Sequence, residues 1–203
     1  MLDSGAFSYM GKHKYKGKDI DWGKYLDTYA HFIQTNDIKL FYELDIDCIV
    51  GYDEVRRMRK KLEEKTGKKS IPVWHIGRGK NEFISLCKEY SYIALGGLVS
   101  GEYPKSAYKN LRWFTKVAHD NNCRIHCLGF TPLKIDIRMF GFDSVDSTSW
   151  NIGGRFGIMY KMIGNQLIQI KKHKNKRAKN DKQKIDYLNM IEWIKFQEYM
   201  DKL

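Results

Sequence analysis

No stretch of this chain stays apolar for the ~20 residues that a membrane-crossing helix needs. Every hydrophobic segment is broken by charge or glycine well before that length. The opening MLDSGAF lacks the basic stretch and long apolar core of a secretory signal, so a cytoplasmic location is expected. Cysteine is sparse. The four present, Cys48, Cys87, Cys123 and Cys127, lie in or beside apolar strand and helix patterns, which argues for buried thiols rather than a disulfide framework. Acidic residues are also outnumbered, 24 Asp and Glu against 36 Lys and Arg, a formal charge of +12 that points to a polyanionic partner.

What is present is a globular chain of 203 residues, 42% apolar and 14% aromatic, long enough for one sizeable core. Its charge is uneven. Residues 171–184 hold eight Lys or Arg and one Asp, a net +7, with Ala178 as their one apolar residue. A run like this cannot be core. It reads as a solvated linker and also as a phosphate-contacting arm, with Lys171, Lys172, Lys174, Lys176 and Arg177 as the contacts, and the two readings are compatible. The following segment places Ile185, Leu188, Ile191 and Trp193 or Ile194 at helical spacing and is expected to dock on the body of the protein.

Five segments end an expected strand in polar residues or glycine: LDSGAFS (2–8), YELDIDC (42–48), PVWHIGRG (72–79), ALGGLVSGE (94–102) and GFDSVDSTSW (141–150). Between them the period changes to that of a helix. Trp22, Tyr25, Leu26, Tyr29, Phe32 and Ile33 follow i, i+3, i+4 spacing after a cap at Asp19 or Asp21. Val55, Met58 and Leu62 do the same, and further helices are expected at about 80–89 and 106–121. Alternating strands and helices imply α/β architecture with a parallel sheet. Polar groups collected at strand ends imply the mouth of a (β/α)8 TIM-like barrel. Six strands can be counted, and FGIMYKMIGNQLIQI adds a seventh or a hairpin, which leaves the barrel short of eight.

Several of these strand ends carry candidate chemistry. Asp3 and Asp146 suit a carboxylate pair acting on a sugar carbon and its leaving group, although Asp3 in D-S-G also reads as a turn residue. Side-chain alternation puts Ser144 with Asp146 on one face and Asp143 on the other, so one aspartate of that pair faces the mouth and the other serves as a cap. Gly96 and Gly97 strip side chains from a place where a planar ring can approach the backbone; they also suit a tight turn. Glu43, Asp45 and Asp47 share a face opposite Leu44 and Ile46, and charges inside a parallel sheet need a reason, such as a ligand presenting N–H donors. His75 is a further hydrogen-bonding group at a strand end. Cys123, His126 and Cys127 form a C-x-x-H-C cluster, but alternation sends His126 away from the two thiols, so no metal site is expected.

Taken together these motifs resemble the tRNA-guanine transglycosylase family, and more closely its viral (phage) and bacterial DNA-modifying branch that installs 7-deazaguanines. LDSGAFS looks like the family's T-D-S-G-G-Y-Q. Gly96, Gly97, Leu98, Gly101 and Glu102 match its G-G-L-x-x-G-E, GFDSVDS is similar to its G-x-D-x-F-D-[CS], and HCLGFTP looks like its H-x-M-G-V-G-T-P. The four recur in the family's order over residues 2–150. The resemblance implies a barrel transglycosylase domain over residues 1–165, a basic linker over 166–184 and a C-terminal helix over 185–203.

The resemblance also implies roles. Asp146 becomes the nucleophile, with Asp143 as the second candidate, and Asp3 the general acid/base. Asp45, with Asp47, becomes the purine-recognising acid, and His75 stands where the family has glutamine. Gly97 and Leu98 contact the incoming base beside Gly96 and Glu102, and Arg155 is the basic residue after the nucleophile. Nucleic acid, DNA before tRNA, and a 7-deazaguanine base are the expected partners, with no cofactor and no membrane. The family's zinc module, C-x-C-x-x-C, is missing, and so are the βα units that normally precede the first motif. A shortened barrel, or dependence on a homo- or hetero-oligomeric partner chain, is therefore expected. A tRNA-guanine transglycosylase, a non-catalytic nucleic-acid-binding subunit and a nucleoside-hydrolysing barrel are the competing readings.

Overall fold

A computed structural model describes residues 1–9, 20–98, 101, 103, 105–133, 135–171 and 182–202. The chain divides into two compact units, Met1–Leu128 with Phe140–Ser144, and Gly129–Met139 with Val145–Leu203.

The first unit is mixed α/β around a parallel sheet whose four strands lie in sequence order: β1 (Val73–Trp74), β2 (Tyr92–Leu95), β3 (Arg124–Cys127) and β4 (Ser144–Val145). Two isolated parallel bridges, Tyr42 to Ile71 and Leu2 to Phe41, continue the same order toward the N-terminus. The backbone hydrogen bonds agree, with Glu43 N–H donating to the Ile71 carbonyl at 3.1 Å and Tyr42 N–H to the Leu2 carbonyl at 3.1 Å. The successive segments are joined through α1 (Trp22–Thr35), α2 (Asp47–Val50) with α3 (Tyr52–Thr66), α4 (Gly79–Glu89) and α5 (Leu111–Asp120).

These helices form where the sequence pattern places them. Asp21 caps α1 by accepting from Lys24 N–H at 2.9 Å, which satisfies one of the helix's orphan donors. The buried face of α1 is Trp22, Leu26, Tyr29, Ala30 and Ile33; Phe32, expected in that stripe, lies off it and is 49% exposed. Phe41, Leu44 and Ile46 pack with α1 and α3 in one core cluster, while Tyr42, Ile71, Val73, Tyr92 and Ala94 form a second with Leu128. Trp74 meets Phe83 of α4 and Phe114 of α5 at ring separations of 5.5 and 4.9 Å. Strand alternation therefore sends Trp74 to the helices and Val73 to the opposite face of the sheet.

The second unit holds α6 (Ser149–Arg155), a hairpin of β5 (Ile158–Ile163) and β6 (Gln166–Lys171), and α7 (Lys182–Met200). The domain boundary expected at residue 165 falls in the turn of this hairpin, between two fully paired strands. The C-terminal helix packs against α6 and β5 on a face that keeps Ile185 and Trp193 of the expected stripe and turns Leu188 and Ile194 away. Ile185 and Asn189 are its buried residues, whereas Leu188 is 41% and Ile194 46% exposed.

Asn189 explains the choice of face. Its Oδ1 accepts from Tyr160 N–H at 2.9 Å, and its Nδ2 donates to the carbonyls of Ile158 at 3.0 Å and Trp150 at 3.1 Å. Glu192, one turn on, accepts from Met162 N–H at 2.7 Å. Helix side chains thus take the outward-pointing groups of β5, groups that would be costly to bury unpaired. Close approach needs small residues opposite: a Cβ at Gly153 would lie 2.9 Å from Asn189 Nδ2, and one at Gly154 would collide with the Asp186 carboxylate.

Candidate active site

A dense polar cluster lies in the first unit, where two neighbouring segments of the sheet end. Glu43 is fully buried; its Oε1 accepts from Val73 N–H at 2.8 Å and lies 3.2 Å from Arg78 Nη1, and its Oε2 pairs with Arg59 Nη1 at 3.1 Å. Burial raises the Glu43 carboxyl pKa, and Arg59 and Arg78 act against that rise. Arg59 arrives from the buried face of α3 and stacks over Tyr90 at 5.3 Å. Arg78 follows His75 in the chain, donates through Nε to Asp47 at 3.0 Å, and lies 4.1 Å above the Tyr52 ring.

The three acids expected on one face therefore do converge, although Asp47 is already the first residue of α2 and alternation ends at Ile46. The chain itself supplies their counter-charges. His75 completes the set, its Nε2 lying 2.8 Å from Asp45 Oδ1, with the two side chains 13% and 18% exposed. Burial lowers the imidazole pKa, but the hydrogen bond to Asp45 and the charges of Asp45 and Asp47 outweigh it and lift it to about 9. His75 is thus an imidazolium at neutral pH.

Gly96 has a defined reason. A Cβ there would stand 2.7 Å from His75 Cε1 and 2.9 Å from Nε2, so the planar ring that approaches this bare backbone is the protein's own imidazole. Gly97 has φ +88°, which glycine adopts without strain, and its carbonyl accepts from Tyr103 N–H at 3.1 Å. Leu98 is buried. Glu102 lies outside the described residues.

Asp3 follows the Leu2 bridge and is exposed. Its Oδ1 accepts from Gly5 N–H at 3.0 Å, the turn hydrogen bond that its D-S-G context allows. Asp143 Oδ2 accepts from Ile125 N–H at 2.7 Å and lies 3.0 Å from His119 Nε2 of α5. Its carboxylate serves the sheet edge and the helix layer. In the second unit Asp146 is exposed and accepts from Gly129 N–H. Arg155 ends α6 and Lys171 ends β6, their side chains undescribed; Lys172, Lys174, Lys176 and Arg177 lie outside the described residues.

Among the described residues, Asp45, Asp47 and His75 form the one group with metal-ligand spacing, their ligand atoms within 4.8 Å of one another. A cation there would have to displace Arg78 from Asp47 and break the contact between His75 and Asp45. Sequence reasoning passed over Arg59 and Arg78. The signal for Arg59 was an arginine four residues after Val55 and one after Met58, on the apolar face of α3. It also passed over a buried chain in which Ser144 Oγ lies 2.5 Å from both His126 Nδ1 and the Tyr92 hydroxyl. No family model, curated protein or solved structure matches this chain.

Proposed function

We propose that this chain is a nucleic-acid transglycosylase, on a (β/α)8-type barrel, that exchanges guanine for a 7-deazaguanine in DNA. One observation carries the reading. Asp3, Asp45, His75 and Gly96–Gly97 each stand just beyond one of four successive parallel segments, at the carboxyl edge of the sheet; Asp3 and Gly96–Gly97 lie in motifs that occur in the order of the transglycosylase family, Asp45 stands where the family has its purine-recognising acid, and His75 departs from the family's glutamine.

The residue types supply the chemistry. A carboxylate of Asp146 attacks C1′ of the target nucleoside, forming the glycosyl ester as the bond from C1′ to the base nitrogen breaks. Asp3 gives the departing guanine its ring proton. The 7-deazaguanine then returns a proton to Asp3 and attacks C1′ with the freed ring nitrogen, and the ester bond breaks to regenerate Asp146. Asp45 accepts N–H donors from the purine edge, and the His75 cation beside it complements a ring carbonyl, the task of the glutamine amide in the family. The target nucleotide leaves its stack to reach these groups, and Arg155 with Lys171, Lys172, Lys174, Lys176 and Arg177 grips the flanking phosphates.

A specific observation favours a second reading, a non-catalytic nucleic-acid-binding subunit. Asp45 and Asp47 already have partners in His75 and Arg78, as they would in a site that had lost its purine. One experiment separates the two. The protein is incubated with guanine-labelled DNA and, separately, tRNA, with and without a 7-deazaguanine. Label release that requires the deazaguanine supports exchange, and the polymer that releases it settles DNA against tRNA. Release without the deazaguanine means hydrolysis. Binding with no release supports the second reading. Asp146→Asn abolishes release at nearly unchanged binding; an unchanged rate refutes Asp146 as the nucleophile.

A further inference from the structure

The segment that carries Asp3 is held from beneath by two phenols of one helix. Tyr25 and Tyr29 sit one turn apart on α1, on neighbouring positions of its inward side. The Tyr25 hydroxyl donates to the Ser4 carbonyl at 2.6 Å. The Tyr29 hydroxyl reaches the Leu2 carbonyl at 3.3 Å and the Tyr42 carbonyl at 3.1 Å, so a single O–H spans the first two segments of the sheet. The carbonyls on both sides of Asp3 are thereby fixed, while its own carboxylate is turned outward and closes onto Gly5 N–H at 3.0 Å.

The phenols are themselves immobilised. Tyr29 packs edge-on against Phe41 at 6.4 Å, and Tyr25 against Trp22 at 5.6 Å and Tyr9 at 5.8 Å. Burial raises the pKa of both hydroxyls. The charge of Tyr9 and then of Asp3 adds to the rise at Tyr25, and the charge of Asp3 and then of Tyr25 adds to it at Tyr29; both phenols therefore stay protonated donors across the working pH range. Gly5 has φ +72°, and a Cβ on it would lie 3.3 Å from the Tyr25 oxygen, so the turn after Asp3 is fitted to that hydroxyl as well.

We infer that Tyr25 and Tyr29 are positioning residues that hold Asp3 in place for proton transfer. This rests on the transglycosylase reading. Deleting either hydroxyl leaves the rings and the core in place and frees one side of the Asp3 backbone. A displacement of ~1 Å at a proton-transferring group lowers turnover by ~10- to 100-fold while leaving substrate binding intact.

The test uses Tyr25→Phe, Tyr29→Phe and, as a control on an exposed tyrosine of α7, Tyr187→Phe. Turnover is measured on guanine-labelled DNA with a 7-deazaguanine, and amide hydrogen exchange is measured at Gly5. The inference expects kcat to fall ~10- to 100-fold with KM within ~3-fold, and Gly5 exchange to rise ~10-fold as its hydrogen bond to Asp3 loosens. Tyr187→Phe moves neither readout. Gly5→Ala, which crowds the Tyr25 hydroxyl from the opposite side and strains the φ +72° turn, reproduces the signature with the sequence of α1 unchanged. Unchanged Gly5 exchange in both tyrosine variants overturns the clamp whatever the activity, as does an unchanged kcat beside an active wild type. A wild type with no exchange activity on either polymer overturns the role of Asp3, and the Gly5 readout still judges the clamp.

Discussion

Replacing Gly96 with alanine puts a methyl group 2.7 Å from His75 Cε1 and 3.0 Å from Val73 Cγ1, well inside contact distance. The imidazole has to yield, and it can do so only by leaving the 2.8 Å hydrogen bond to Asp45. Overpacking of a fitted site costs about 1–3 kcal/mol, and a hydrogen bond to a charged group is worth about 1.5–3 kcal/mol. Because one event relieves the other, the two do not add in full, and a loss of about 2–4 kcal/mol is expected.

Gly96→Ala also removes a pH dependence. The folded pKa of His75, about 9, lies above the ~6.5 of an unfolded histidine, so the stabilisation is fully present below ~6.5 and is lost as pH rises through about 9. At ~1.4 kcal/mol for each pKa unit, the wild type has about 3 kcal/mol to lose from this group between pH 6 and 10. Urea unfolding followed by tryptophan fluorescence at pH 6, 8 and 10, with His75→Gln as the reference for all other titrations, measures both effects. The alanine variant should lose stability mainly at pH 6 and show the flatter pH profile of His75→Gln. In a His75→Ala background the Gly96→Ala cost should shrink by ~1 kcal/mol or more, as expected for residues in contact. A full-sized cost in that background, or an unchanged pH profile, refutes the packing argument.

Three further outcomes follow from the same geometry. Glu43→Gln strands the Arg59 guanidinium in a fully buried place and should cost about 3–5 kcal/mol in chemical denaturation, whereas Arg57→Gln, on the exposed pair with Glu54, should cost less than ~1 kcal/mol. Asn189→Ala orphans Tyr160 N–H and two carbonyls and should release α7 before the first unit unfolds, seen as early proteolysis after residue 181 while the Trp74 region keeps its amide protection. Changing Lys171, Lys172, Lys174, Lys176 and Arg177 to glutamine should weaken binding to duplexes of any sequence and flatten the log-affinity against log-salt slope by ~0.9 for each phosphate that is no longer neutralised; an unchanged slope assigns the run to the role of a linker.

Local chemistry made much of the fold legible. The Asp21 cap, the apolar face of α1, the Val55, Met58 and Leu62 stripe of α3 and the succession of strand ends all follow from neighbours in sequence, and the hairpin was one of two readings of the apolar segment 156–170. What escaped was set by long-range pairing. That Glu43 would be answered by Arg59 and Arg78 depends on how α3 and the His75 turn fold back onto the strand, and no spacing rule encodes that. The acid cluster was visible as an anomaly of alternation, but its solution came from tertiary structure. The docking face of α7 was legible only in part, through Ile185 and Trp193, for a related reason: its anchor is an asparagine that completes backbone hydrogen bonds, and a hydrophobic period cannot register it. Gly96 was legible as a place for a ring, though not as a place for His75.

The way α7 meets the hairpin has a directional consequence. A two-stranded ribbon ordinarily offers two edges onto which a foreign extended segment can hydrogen-bond. Here the edge formed by β5 is sealed by carboxamide and carboxylate side chains standing in for a third strand. An extended peptide that pairs with the backbone of β5 therefore has to displace the Asn189 and Glu192 side chains first, so α7 guards this margin of the ribbon against strand addition.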